Sequence, residues 1–288
     1  MCGRKSFFHA ARLNLSVLPD FMFIAIDKYE GDCCMDYEMI KDSLYVNNVF
    51  LSKEIPKGNY LRKLPVISNL KKMKGLKLTK QVTFFVGENG VGKSTLIEGI
   101  AVAMGFNAEG GSVNFSFSTR ESHSRLHEYI TVSRGYRRRK DGFFLRAESL
   151  YNVASNIDDL DHEPCPGPPI ISSYGGVSLH EQSHGESFMA LIENRFCGNG
   201  LYILDEPEAA LSPMRLMRLM YCMKELVDRN SQFIISTHSP ILMSFPDAEV
   251  IEITEEEIKS VDYKETEHFF ITKRFMDAPE QMLKDLLG

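Results

Sequence analysis

Apolar positions fall in blocks of two kinds, and the block lengths divide much of the chain into strands and helices. Val82-Thr83-Phe84-Phe85-Val86, Leu201-Tyr202-Ile203-Leu204 and Gln232-Phe233-Ile234-Ile235-Ser236 are short, nearly uninterrupted apolar runs. Runs of this length without polar alternation predict strands buried on both faces. Tyr45 to Leu51, Tyr129 to Val132 and Gly142 to Leu145 predict further strands. Ser94 to Met104, Ser187 to Phe196 and Pro213 to Asp228 carry the spacing of helices. Strands separated by helices predict an α/β fold, a sheet with parallel strands covered on both sides.

Between these elements the pattern weakens. Residues 1–42 hold the apolar run Phe21 to Ile26 and a polar segment with Cys33 and Cys34, but no sustained period. They read as an atypical extension ahead of one domain spanning 43–288. Glu30-Gly31-Asp32 can also be encoded by a purine-rich stretch resembling a bacterial ribosome-binding site, which makes Met35 or Met39 an alternative start. Mass spectrometry of the natural N-terminus decides between the two, since a peptide containing Phe7 or Phe21 removes the second. Lys71, Lys72, Lys74, Lys77 and Lys80 predict a solvated helix or loop. Gly105 to Arg120 is rich in Gly, Asn and Ser, and Asp158 to Gly176, with four prolines, predicts an exposed connector. Residues of about 112–180 are therefore expected to form a small lid or helical insertion.

Composition narrows the classes. At 43% hydrophobic and 25% charged residues the chain can bury a globular core. A net charge of -6 argues against wholesale binding to nucleic acid or anionic membrane, while leaving room for a local basic patch. The six cysteines show neither Cys-x-x-Cys pairing nor zinc spacing, which fits a reducing cytoplasm. No apolar run approaches the 18 residues of a membrane span.

The chemistry begins where the first buried run meets glycines. Gly87-Glu88-Asn89-Gly90-Val91-Gly92-Lys93-Ser94 fits G-x-x-x-x-G-K-[ST], placed between an expected strand and an expected helix. Glycines 87, 90 and 92 let successive main-chain N–H groups face an anion, and the helix N-terminus adds its positive dipole end. Asn89 and Thr95 complete the candidate loop around ATP; Lys93 is expected at the β and γ phosphates, and Ser94 on Mg²⁺.

Leu201 to Leu204 runs into Asp205-Glu206-Pro207. In a P-loop protein the Asp205 carboxylate would complete the Mg²⁺ shell, and Glu206 can polarise an attacking water. Phe233 to Thr237 delivers His238 to the carboxyl end of another strand, where α/β sheets bind ligands. There His238 can hydrogen-bond a γ-phosphate or the attacking water.

With Gln182-Ser183-His184-Gly185-Glu186-Ser187, these segments resemble the ATP-binding-cassette ATPases in their order of Walker A, signature, Walker B and switch histidine. Gly105 to Gly111, Leu179 to Glu186 and Leu204 to Pro213 are similar to the non-transporter branch of chromosome-maintenance and DNA-repair ATPases, and most of all to short bacterial ATPases often labelled AAA-family. The resemblance covers Tyr45 to Leu287. It implies a P-loop NTPase fold with a mixed sheet flanked by helices, and a homodimer in which Ser183 and Gly185 cap the nucleotide of the opposing chain. Two departures stand out. No glutamine occurs from Val82 to Glu181, so the usual Mg²⁺ and water ligand falls to candidates such as Asn114, Ser116 or Ser118. The segment Ala209 to Ser212 lacks the customary aspartate of the dimer-contact loop.

Three functions compete. The first is an ATP-hydrolysing sandwich dimer that drives a conformational change on a client. The second is an ATP-dependent binding module for nucleic acid or a defence complex, and the third a transporter's nucleotide-binding subunit. About ninety residues separate Ser94 from Ser183, too few for the heptad-repeat arm of long chromosome-type ATPases. Arg134, Arg137, Arg138, Arg139 and Lys140, with Tyr136, are the best nucleic-acid candidates; the competing reading is a solvated hairpin tip.

Overall fold

The computed structural model describes residues 44–112, 124–162 and 169–288. Its centre is a six-stranded sheet built from β3 (Val82–Val86), β5 (Asp141–Arg146), β6 (Gly200–Asp205), β7 (Gln232–Ser236), β8 (Glu249–Ile253) and β9 (Ile258–Val261). The order is β5-β6-β7-β3-β8-β9, parallel as far as β8, with β9 antiparallel at the edge. This is the mixed sheet flanked by helices that the sequence predicts.

The pleat explains why the central strands carry apolar residues throughout. Val82, Phe84 and Val86 of β3, Tyr202 and Leu204 of β6, and Phe233 and Ile235 of β7 enter one core. Phe85, Leu201, Ile203 and Ile234 enter the core on the opposite face. Successive side chains point to opposite faces, so a strand covered on both sides has no position for a polar residue to occupy cheaply. The helices α3 (Leu150–His162), α4 (His184–Arg195) and α5 (Pro213–Val227) supply the first core, whereas α1 (Pro65–Lys72) and α2 (Lys93–Ala103) supply the second. Chain order then continues with α6 (Pro240–Met243), α7 (Glu267–Asp277) and α8 (Pro279–Leu287).

A smaller antiparallel sheet, ordered β2-β1-β4, joins β1 (Val46–Leu51), β2 (Leu76–Lys77) and β4 (Ile130–Arg134). It is tied to the main sheet by one buried side chain. Gln232, 1% exposed, accepts the main-chain N–H groups of Tyr45 and Val46 on Oε1 at 2.8 and 2.9 Å, and donates from Nε2 to the Val46 carbonyl at 2.9 Å. It thus acts as a strand partner for β1 from within β7.

Local reading and structure part company in four places. The basic cluster is not a hairpin tip, because β4 pairs with β1 and β5 with β6; residues 135–140 cross between the two sheets. The expected connector from Asp158 begins inside α3, where Leu150, Val153, Ala154 and Ile157 are buried at helical spacing. Past it, Tyr174 is buried, and Asp161 accepts the N–H of Ile171 at 2.7 Å. The segment 112–180 also supplies strands to both sheets, so the helical part of its described residues is α3 and the short turns Arg125–Glu128, Ile170–Tyr174 and Leu179–Glu181. Finally, α4 starts at His184 rather than Ser187, because Glu186 reaches back to accept the N–H of Ser183 at 3.0 Å.

The expected lysine-rich surface holds, with Lys71 and Lys72 exposed in the last turn of α1. No described helix is long and apolar enough to cross a membrane. The expectations on residues 1–42 and on Asn114, Ser116 and Ser118 lie outside the described residues.

Gln232→Leu leaves two buried N–H groups and one carbonyl without partners, each costing about 1–3 kcal/mol. The variant is expected to lose about 3 kcal/mol or more of unfolding free energy, read as a lower urea midpoint.

Candidate phosphate-binding and catalytic site

Three adjacent parallel strands, β6, β7 and β3, bring the site together at their carboxyl ends. β3 turns at Gly87, whose φ is 140°; a Cβ there would lie 2.1 Å from the Ile253 carbonyl oxygen of β8. The loop then closes on Gly92, the left-handed N-cap of α2. It is braced from outside by α1, where the Val66 N–H donates to the Val91 carbonyl at 3.0 Å. A shallow groove of about 210 Å³ results, lined by Leu64, Asn89, Gly90, Gly92, Lys93, Ser94, Thr95 and Glu206.

Lys93 is 4% exposed, and its Nζ donates to the carbonyls of Gly87 and Glu88 at 2.8 and 2.9 Å. Burial lowers its pKa below the ordinary lysine value, while the carboxylates of Glu206, Asp205 and Glu208 oppose that shift. An ammonium held in a glycine loop with carboxylates close by is suited to exchanging carbonyl partners for phosphate oxygens.

Asp205 ends β6 and is 6% exposed. Burial raises its carboxyl above the usual range, and hydrogen bonds from Ser236 and Ser94 together with Arg146 pull it back. Arg146, facing Asp205 across the β5–β6 register, places Nε 3.4 Å from Asp205 Oδ2 and Nη1 2.8 Å from Glu98 Oε2. The Ser94 hydroxyl and the Asp205 carboxylate offer a donor set of the hard-oxygen kind that Mg²⁺ takes alongside phosphate oxygens. Among the described residues no group of three or more His, Cys, Asp or Glu could hold a metal ion by itself.

Glu206 adopts left-handed backbone angles, φ 48° and ψ 55°, uncommon for a non-glycine residue. Its N–H donates to the Ser236 carbonyl at 3.1 Å, which fixes this turn to β7. Its carboxylate lies 3.6 Å from His238 Nε2. Strain of this kind, held by surrounding structure, is common at active sites.

His238 follows β7 directly. Its main-chain N–H donates to Glu208, whose carboxyl is raised by burial. Its Nδ1 lies 2.7 Å from Nε2 of His268 on α7, and its own Nε2 is buried without a hydrogen-bond partner. Burial first, then Lys93 and His268, push its pKa down to about 4.

The structure therefore gathers Gly87, Asn89, Gly90, Gly92, Lys93, Ser94, Thr95, Asp205, Glu206 and His238. Ser183 and Gly185 stand apart on α4, outside the groove. The exposed Ser183 caps that helix, and Gly185 is packed so closely that a Cβ would meet Arg215 at 2.3 Å and the Ala210 carbonyl at 2.9 Å. Sequence reasoning missed Glu98, Arg146 and His268 as members of the site. Glu208 lay within the quoted run after Asp205, but His268 carries no local signal. A larger depression of about 780 Å³, between the end of β1 and α1, contains none of the predicted site residues.

A mainly parallel sheet with the G-x-x-x-x-G-K-[ST] loop between β3 and α2, and Asp205 at the end of β6, is the arrangement of a P-loop phosphate-binding protein. Two family models match the chain: one described as "AAA domain" over residues 67–157, and one described as "AAA domain, putative AbiEii toxin, Type IV TA system" over residues 175–244. Among solved structures, the chain is similar to cbiO1 from Clostridium perfringens, part of the ABC transporter complex cbiONQ. The identity is 20%, covering 82% of this chain and 96% of that one, with a TM-score of 0.47. It is also similar to the SMC head domain from Thermotoga maritima, at 16% identity over 76% of this chain and 99% of that one, with a TM-score of 0.38. No curated protein matches.

Gly87→Ala forces a side chain into the Ile253 carbonyl, so the loop must shift. Nucleotide affinity, measured by titration with a fluorescent ATP analogue, is expected to fall by about tenfold or more.

Proposed function

We propose that this protein binds Mg-ATP and hydrolyses it in a sandwich of two identical chains, coupling turnover to a conformational change on a client. The observation that carries the reading is the convergence of Lys93, Asp205, Glu206 and His238 at the ends of three neighbouring strands. In this reading Lys93 holds the β and γ phosphates, and Ser94 and Asp205 supply the protein ligands for Mg²⁺, which neutralises charge on the phosphates. Glu206 accepts a proton from the attacking water, and His238 donates to the γ-phosphate side. The groove is shallow and open, so a second chain's α4 N-terminus, with Ser183 and Gly185, is assigned to cover it.

The basic cluster favours a structural role over nucleic-acid recognition. Arg134 donates to the Ala103 carbonyl at 2.9 Å, and Arg139 donates to Met104 and lies over the Phe106 ring at 4.4 Å. Arg137 donates to Asn230 at 3.2 Å. These contacts occupy three of the cluster's cations, leaving Arg138 and Lys140 without an assigned role.

Lys93→Ala is expected to weaken ATP binding and abolish turnover. Glu206→Gln should keep ATP bound while slowing hydrolysis by about 10²-fold or more, the scale of a lost general base. A single-turnover assay with a parallel binding titration separates the two, and equal loss of binding in both variants would make Glu206 structural.

The shared site is tested by complementation. Ser183→Arg is expected to bind ATP but neither dimerise nor hydrolyse it. Mixing it with Lys93→Ala should restore activity, because one site of each mixed dimer has an intact loop and an intact cap. Full activity from monomeric Ser183→Arg, or no rescue in mixed dimers shown to form, removes the sandwich.

A further inference from the structure

We propose that His268, on helix α7, is the positioning residue that fixes the proton of His238 on Nε2 and so makes the switch histidine a donor toward the phosphate side. This deepens the hydrolytic reading above and rests on it for its catalytic consequence; the proton assignment itself stands on the geometry.

A neutral imidazole carries one N–H, so the 2.7 Å contact between His238 Nδ1 and His268 Nε2 allows two arrangements. In one, His238 Nδ1–H donates to His268, and the lone pair of His238 Nε2 faces the Glu206 carboxylate 3.6 Å away. Two acceptors then face each other in a half-buried site, which is unfavourable. In the other, His268 Nε2–H donates to His238 Nδ1, and His238 Nε2 carries the proton toward Glu206. The second arrangement makes the bond between the rings and turns an N–H rather than a lone pair toward the Glu206 carboxylate, which at 3.6 Å lies beyond hydrogen-bond reach. It also leaves a buried N–H with no hydrogen-bond partner at the site, as a group awaiting a substrate oxygen would be.

The histidines are held neutral, so the position of the proton, rather than its presence, is what the structure sets. Burial is the first cause for each, and Lys93 adds to it. Around His268, Glu267 of its own helix, Glu252 of β8 and Glu88 of the glycine loop oppose that shift without reversing it. His268 also sits in the first turn of α7, where the helix dipole disfavours an additional positive charge.

The contact is built rather than incidental. Thr266, fully buried, caps α7: its Oγ1 donates to the Tyr263 carbonyl at 2.6 Å and accepts the Phe269 N–H at 3.4 Å. The same hydroxyl lies 3.8 Å from Met243 Sδ on α6, the helix that starts two residues after His238. Two short segments are thereby locked together at the turns that carry the two rings. The remainder of α7 buries no residue, so its fixed end is the end that meets the site.

His268→Leu removes the donor while keeping side-chain bulk, and His268→Gln returns an amide N–H near the position of the lost Nε2–H. With the full-length protein, the Leu variant should show kcat reduced about tenfold or more, the usual scale for losing a partner that orients a functional imidazole, with unchanged affinity for a non-hydrolysable ATP analogue. The Gln variant should recover most of the turnover. The ¹⁵N spectrum of ring-labelled histidine should place the His238 proton on Nε2 in the wild type and divide it between the nitrogens in the Leu variant. Wild-type kcat and an unaltered His238 spectrum in the Leu variant overturn the proposal, as does a wild-type proton on Nδ1. If the wild type binds ATP but never hydrolyses it, the hydrolytic reading fails, and the spectrum still decides the proton assignment.

Discussion

A buried ammonium group sets the terms for everything around it. Lys93 has almost no exposed surface, and its direct partners are two carbonyls of its own loop. Carbonyl dipoles alone compensate poorly for a desolvated cation, so the charge must be matched by carboxylates nearby. Asp205, Glu206 and Glu208 provide that charge from the end of β6, but only if β6 and β3 hold a fixed separation. β7 lies between them and sets it. The all-apolar strands are therefore also a ruler that places a cation and three carboxylates at one end of the sheet.

The glycine loop meets the same demand from the other side. Its curl brings carbonyls to Lys93 and N–H groups to the groove, which requires a tight exit from β3 at Gly87 against β8 and an outer brace from α1. The helix that follows is secured at both ends. Its N-terminus offers N–H groups to an anion, and its C-terminal carbonyls at Ala103 and Met104 receive Arg134 and Arg139. Cations at that end complement the helix dipole as an anion would at the start. Two of the five cations that read in the sequence as a nucleic-acid patch, Arg134 and Arg139, are thus counter-charge for the C-terminal end of α2.

What the chain reveals from its sequence follows from the range of the interactions involved. β3 and β7 were readable to the residue because each is a continuous apolar run, and α5 because Ser212 and Pro213 mark its start locally. The glycine loop, Asp205, Glu206 and His238 were legible because loop chemistry and strand ends are local too. The hairpin expectation failed because pairing depends on partners far along the chain: β1 lies 79 to 88 residues before its partners in β4, and nothing near Arg134 announces it. The helix α3 was obscured by prolines that follow it. The roles of Gln232 and His268 were invisible for the same reason as the pairing of β4, since they exist only where distant segments meet. The second family model ends at residue 244 and leaves α7 outside it.

Arg146 shows how these levels are joined. It sits at the last position of β5, pairs by register with Asp205, and reaches across to Glu98 in the middle of α2. Glu98 in turn accepts the main-chain N–H of Ser124 at 2.6 Å, where the chain re-enters the described structure after the Gly-Ser-Asn-rich segment. One guanidinium thus connects the carboxylate at the end of β6, the helix that follows the glycine loop and, through Glu98, the main chain at Ser124. Both carboxylates are under 10% exposed, so the guanidinium compensates part of a desolvated charge on each. Arg146 and Glu98 thereby tie the charge at the end of β6 to the turn that begins at Ser124, so a change of charge at Asp205 acts on the same guanidinium that holds Glu98.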